Sequence, residues 1–198
     1  MAAPDHTRVR LLAAGKALFA RVGYESTATA LIAKDAGTSE SQLIRYFGSK
    51  AGLLHGIFEE HWRPLNSRIH DLLTDAADGR AAVVAVCSTI LKAFEDDEDL
   101  ATIFLFEGRR IRGDAHGVVL SAGFIEFADV VKRLIKRGQK DGSFATSLEP
   151  PAVAAALMGA VEGMVREHVM ARRFGHTPPL DYRQIRRVFD ALLDGLSR

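Results

Sequence analysis

Residues 27–53 read TATALIAKDAGTSESQLIRYFGSKAGL, and the punctuation of this stretch decides the fold. Thr27 is a capping residue type placed before Leu31, Ile32, Ala33 and Ala36, with Ile32 and Ala36 one turn apart on one face. Gly37 follows the last periodic residue, where a left-handed backbone ends a helix. Ser39 and Gln42 then have capping-box spacing, each side chain meeting the other's backbone N–H, so a second helix starts within two or three residues. In it Leu43 and Phe47 fall one turn apart and face a core, which leaves Glu40, Ser41, Gln42 and Arg45 outward. Two short helices joined by a tight glycine turn and followed by a third, basic helix are the layout of a helix-turn-helix. The outward side chains suit base edges, Gln for adenine, Arg for guanine and Ser for several bases, while Tyr46 and Lys50 are placed to touch backbone phosphate. A polar face on any helical domain has the same appearance, so spacing alone leaves that alternative open.

The surrounding residues narrow it. From Leu11 to Leu54 the chain resembles the N-terminal domain of the tetracycline-repressor (TetR) family: Leu11, Leu18, Phe19 and Gly23, then Thr27, Ile32-Ala33, Ala36-Gly37, Ser39, Leu43, Tyr46-Phe47, Ser49-Lys50 and Leu53-Leu54. The YFxSK element is its most specific part. The resemblance implies a three-helix DNA-binding domain over residues 4–64 whose third helix enters the major groove, with Thr27, Tyr46 and Lys50 as phosphate contacts, and a helical effector-binding and dimerisation domain over 65–198. Four positions depart from the pattern: Gly15 for a usual Ala, Thr29 for a common aliphatic, Ile44 for a common Tyr and Ala51 for a common Glu. Ile44 matters most, because it trades a hydroxyl for an apolar group whose only match in the groove is a thymine methyl.

Length and composition fit a small regulator: 198 residues, 47% hydrophobic, allow a reading module plus one helical domain with a real core. A single cysteine, Cys87, in an apolar helical stretch excludes a disulfide framework or a cysteine metal cluster within one chain. The N-terminal MAAPDHTRVR lacks the basic-then-apolar pattern of a signal peptide, and apolar runs stop short of a membrane span, so a cytoplasmic location without membrane partners is expected. Net charge is only +1, and residues 1–64 carry eight Lys and Arg against six Asp and Glu, a +2 balance that permits DNA binding without demanding it.

Beyond the reader the helical period continues, broken at Asp78-Gly79, Gly113-Asp114, Lys140–Ser143, Glu149–Pro151 and Thr177–Pro179. Six further helices are predicted over roughly Gly52–Thr74, Arg80–Glu95, Asp97–Arg112, Gly117–Lys140, Pro151–Phe174 and Asp181–Leu196, giving an all-α chain of about nine helices. The Gly52–Thr74 helix runs on from the reader and would report on the core as a lever. The charge block Glu95–Asp99 is expected to fill a turn and the first turn of the next helix, where carboxylates complement the dipole. Gly117–Lys140 and Pro151–Phe174 resemble the family's subunit-contact helices. On the latter, Ala152, Ala156, Gly159, Ala160 and Gly163 let backbones approach closely; packing within the monomer is the alternative use of such residues.

The candidate effector chamber draws on Trp62, Ile90, Phe94, Ile103, Phe104, Phe106, Phe124, Phe127, Met158, Val161 and Met164, with Glu107, Arg109, Glu162, Arg166 and His168 as polar groups near it. Each has a plainer use: an aromatic stripe as core, Glu162 with Arg166 as an ion pair on a helix face, His168 as a structural histidine. The seven histidines show no clustered ligand spacing and no catalytic motif is present, so neither metal, cofactor nor enzyme activity is expected. The leading expectation is a homodimeric, effector-responsive repressor of operator DNA. Two alternatives remain, a DNA-binding dimer without a small-molecule pocket and a helical small-molecule or lipid-binding protein whose reader is inactive.

Overall fold

The computed structural model describes residues 6–108 and 121–197. Among them the chain forms nine α-helices and no strand: α1 (His6–Val22), α2 (Thr29–Asp35), α3 (Glu40–Phe47), α4 (Lys50–Asp75), α5 (Gly79–Asp96), α6 (Glu98–Phe106), α7 (Ala122–Asp141), α8 (Pro150–Arg173) and α9 (Tyr182–Gly195). This is the all-α architecture expected. The expected turn at Gly113-Asp114, together with Arg109 and His116, lies outside the described residues.

The reader closes around Leu11, Leu18, Ile32, Leu43 and Leu53, all at most 1% exposed. Its turn forms as the sequence predicts. Gly37 has φ +61°, its N–H donates to the Lys34 carbonyl at 3.1 Å and Thr38 N–H donates to the Ala33 carbonyl at 2.9 Å, a Schellman ending. Two local expectations change. Thr27 does not cap α2: the N-cap is Ala28 without a side-chain bond, and the Thr27 hydroxyl, 1% exposed, donates back to the Gly23 carbonyl at 2.6 Å. At α3 one arm of the capping box is present, Gln42 N–H to Ser39 Oγ at 3.4 Å, whereas a complete box occurs at Asp181 and Gln184 at the start of α9. Gly15 has a packing reason, since a Cβ there would stand 2.9 Å from Leu53 Cδ2, where α1 and α4 meet.

α4 crosses residue 64 without a break, Pro64 included, and joins reader to core as one continuous helix. α7 is boxed by α4, α5 and α8. Two close approaches set its position: a Cβ on Gly123 would sit 2.3 Å from Trp62 Cβ, and one on Gly79 would sit 2.3 Å from Gly138 N. Only glycine allows these backbones so near. The helix expected over Asp97–Arg112 ends at Phe106, and the one expected from Gly117 begins after Ser121, whose hydroxyl accepts from the Phe124 N–H at 3.2 Å. The acidic block does more than fill a turn. Asp97 caps α6 through the Leu100 N–H at 3.0 Å and pairs with Lys16 of α1, Glu95 with Arg186 of α9 at 2.8 Å, and Glu98 with Arg172 of α8 at 3.2 Å.

Candidate DNA interface and candidate effector chamber

On α3, Glu40, Ser41, Ile44 and Arg45 are exposed, Gln42 and Tyr46 are half-buried, and Leu43 at 0% pins the helix to the domain beneath. Arg45 makes no hydrogen bond or ion pair among the described residues. Glu40 accepts a hydrogen bond from the Thr29 hydroxyl, which ties α3 to α2 and gives the Thr29 departure a use. The Ser39 and Ser41 hydroxyls lie 2.8 Å apart.

Lys50 differs from expectation. Its ammonium donates to the carbonyls of Tyr24 at 3.0 Å, Glu25 at 3.3 Å and Thr27 at 3.1 Å, and lies 4.5 Å from the Tyr24 ring centroid. All three donors are thus spent on the α1–α2 turn, and Thr27 is buried inside that turn instead of offering its hydroxyl to a phosphate.

The same turn is gripped from the core. Tyr24 N–H donates to the buried Glu107 carboxylate at 3.3 Å, and Arg173 donates to the Ala20 and Arg21 carbonyls, the open C-terminal end of α1, at 2.8 and 3.0 Å. A cation is favoured there by the unpaired carbonyls and the helix dipole. Glu107 closes α6 and Arg173 ends α8, and both helices supply the chamber wall. Sequence reasoning missed this grip because its partners stand 83 to 153 residues apart and no local period links them.

The chamber lies among α4 to α9. It gives about 110 Å3 of room for the centres of water-sized molecules, several times the ~10–15 Å3 one water needs. Trp62 stacks on Phe104 with centroids 4.9 Å apart and contacts Phe127 at 5.1 Å and Phe124 at 5.9 Å, while Phe94 meets Phe104 edge-on at 5.8 Å. These five, with Ile90, Met158, Val161 and Glu162, line it as expected; Phe58, Val83, Val86, Leu105, Leu157 and Phe189 join them. Phe106, Ile103 and Met164 do not. Phe106 is turned away beneath the Arg166 guanidinium, 4.9 Å from its centroid, and Ile103 is at 0% in the core. Cys87 also faces the cavity; burial, then the Asp190 charge, pushes its thiol up to about 12, so it is a neutral wall.

Among the described residues Glu162 is the charged side chain in this lining. It pairs with Arg166 at 2.7 Å, and Arg166 also donates to the Leu105 carbonyl at 2.9 Å. His168 is structural, held by the Leu180 carbonyl at 2.7 Å and by the Tyr182 ring. Among the described residues no three His, Cys, Asp or Glu side chains group to hold a metal, and no helix is long and apolar enough to cross a membrane.

On α8, Ala152, Ala156, Gly159 and Gly163 are exposed and Ala160 is half-buried. A Cβ added at Gly159 or Gly163 meets nothing within 4 Å, so these residues are not filling a contact inside the monomer. Beside α8, α9 exposes Val188 and Leu192, each 43%. α7, expected at a subunit seam, is instead packed on three helices.

A helix-turn-helix reader is carried here on a helical domain with an apolar chamber. Residues 11–57 match the profile of bacterial regulatory proteins of the tetR family, and residues 58–176, more than half of the chain, match that of the YsiA-like protein C-terminal region. The chain belongs to the TetR family and is a DNA-binding transcriptional regulator. It is 25% identical over 142 residues to the HTH-type transcriptional repressor KstR2 of Rhodococcus jostii, covering 72% of this chain and 70% of that one. It is 27% identical over 165 residues to the nucleoid occlusion factor SlmA of Aliivibrio fischeri, covering 81% and 82%. The fold is similar to that of FadR from Bacillus subtilis, solved in complex with stearoyl-CoA, with a TM-score of 0.82 at 18% identity over 93% of this chain and 96% of that one. FadR from Bacillus halodurans gives 0.81 at 20% identity, over 94% and 97%.

Proposed function

We propose that the chain is a cytoplasmic, non-enzymatic homodimer that binds two half-sites of operator DNA through α3 and releases them when an apolar effector enters the chamber. The chamber is the observation that carries the ligand class: rings and aliphatic side chains surround it, and the charged liner among the described residues, Glu162, is already paired. An acyl chain is the occupant best suited to such a wall, a class supported by the likeness to a protein solved with stearoyl-CoA. In this reading Arg45 and Gln42 read base edges, and Lys50 acts by stiffening the α1–α2 turn. The open stripe of Ala152, Ala156, Gly159 and Gly163, with exposed Val188 and Leu192 on α9, is the seam that spaces two recognition helices about one turn of DNA apart.

The route from chamber to reader runs through the grip on the α1–α2 turn. Phe104 and Leu105 line the chamber three and two residues before Glu107, and Glu162 lies three turns of α8 before Arg173. A ligand that shifts α6 or α8 therefore moves the groups that hold Tyr24, Ala20 and Arg21.

Trp62 is the only tryptophan and lines the chamber, so its emission reports occupancy directly. Stearoyl-CoA should change that emission and lower operator affinity, and free coenzyme A should do neither. An unchanged Trp62 signal with stearoyl-CoA and with the shorter octanoyl-CoA would remove acyl compounds as the effector class.

A further inference from the structure

The outward face of α3 carries one side chain that hydrogen-bond readout leaves unexplained. Ile44 is 46% exposed, next to Arg45 and one turn from Ser41, on a helix pinned from below by Leu43. Its polar neighbours divide into engaged and unengaged groups. Glu40 accepts from Thr29, and the Ser41 hydroxyl is bonded to that of Ser39. Arg45 is unengaged among the described residues, so a guanidinium and a branched apolar side chain stand adjacent and open at the front of the reader.

The major-groove edges of the bases present donors and acceptors, and the apolar group that stands out into the groove is the C5 methyl of thymine, where cytosine has only a C5–H. A polar edge covered by Ile44 would lose water and gain no partner, whereas a methyl would exchange water for an apolar contact. We propose that Ile44 is a specificity-determining residue that reads the thymine C5 methyl in each half-site, beside a guanine taken by Arg45. The inference rests on α3 being the groove helix, as proposed above. Selection acts in both directions, through attraction to the methyl and rejection of bases that present only polar edges. Adjacent side chains leave a helix about 100° apart, which places the thymine and the guanine within about two base steps of 3.4 Å.

The chain first selects its operator from random duplex DNA, and affinity is then measured with each thymine replaced in turn by deoxyuridine, which removes the methyl alone. One position per half-site should weaken binding about fourfold, the effect of one buried methyl. 5-Methylcytosine there should bind better than cytosine. Ile44→Ala, which leaves the fold untouched because the side chain is exposed, should bind thymine and deoxyuridine equally at that position and keep the unfolding midpoint of the parent. Indifference of the parent to every replacement in an operator it binds overturns the proposal, as does an Ile44→Ala variant that still loses fourfold. A chain that selects no sequence overturns the DNA-reading function itself, and this inference with it; the selection step tells the two failures apart.

Discussion

In the reader, the buried side chains are sealed, with Leu11, Ile32, Leu43 and Leu53 at 0% and Phe19 at 1%, and function is left to what α3 shows outside. In the core domain Phe104, Phe124 and Phe127 are half-buried and line the chamber. One region presents a rigid shape to a partner that comes from outside; the other keeps room for a partner that enters. The difference separates positions where volume is fixed from positions where it is adjustable.

The sharpest way to break that contrast is one truncation in each region. Leu43→Ala should cost ~2–5 kcal/mol in denaturant unfolding and take operator binding with it, because the cavity it leaves lies under the recognition helix. Phe127→Leu, at the chamber wall, should cost less than about 1.5 kcal/mol and leave operator binding intact while changing the response of Trp62 to ligand. Similar losses at both sites would mean that the chamber is packed core.

The open stripe on α8 offers a second contrast, between a small residue that packs within the chain and one proposed to meet a second copy of it. A Cβ at Gly159 or Gly163 meets nothing within 4 Å, so in Gly163→Leu and Gly159→Leu monomer stability should be unchanged or slightly improved as a helix glycine is replaced. The dimer should dissociate at low micromolar concentration by light scattering, with operator affinity falling accordingly. Variants that remain dimeric with normal affinity would leave the seam unassigned.

How far the two regions were legible in the sequence follows from the same difference. Gly37, Ser39, Leu43 and Phe47 each act within about one helical turn of the next, so their spacing alone sets the α2–α3 turn and which face α3 buries. Chamber membership was legible for Trp62, Phe94, Phe104, Phe124, Phe127 and Met158, where apolar character and helix period suffice, and Glu162 was expected as a polar group near it. It was not legible for Phe106, which shares a helix with Phe104 but is rotated onto Arg166. The roles of Lys50 and Thr27 were hidden because a family pattern records which residue is present and not which carbonyl its donor meets. Arg173 and Glu107 had no local sign at all.

The smallest expected effect concerns the junction of the two regions. Burial alone would raise the Asp97 carboxyl, but hydrogen bonds from Lys16 and from the Leu100 N–H, then the Lys16 charge, outweigh it and leave it below its ordinary 3.8. A depressed carboxyl contributes stability that is present above its unfolded value and is lost as pH falls through the lower folded one. Asp97→Asn keeps an N-cap acceptor but no charge, so it should flatten the acid limb of unfolding stability below about pH 4 and change little at neutral pH. An acid limb as steep as that of the parent would show that the Lys16–Asp97 pair does not contribute.

Calorimetric titration of stearoyl-CoA into the free protein and into its operator complex tests the central claim, that chamber and reader are two ends of one equilibrium. Linkage requires that a ligand which weakens operator binding must itself bind the complex more weakly by the same factor, a coupling of ~1–3 kcal/mol or about 5- to 150-fold. The account predicts tighter binding to the free protein by a factor in that range, matched by the loss of operator affinity measured in the reverse titration. Equal affinity for the two forms would contradict it, because a ligand that does not distinguish the two states cannot move the balance between them.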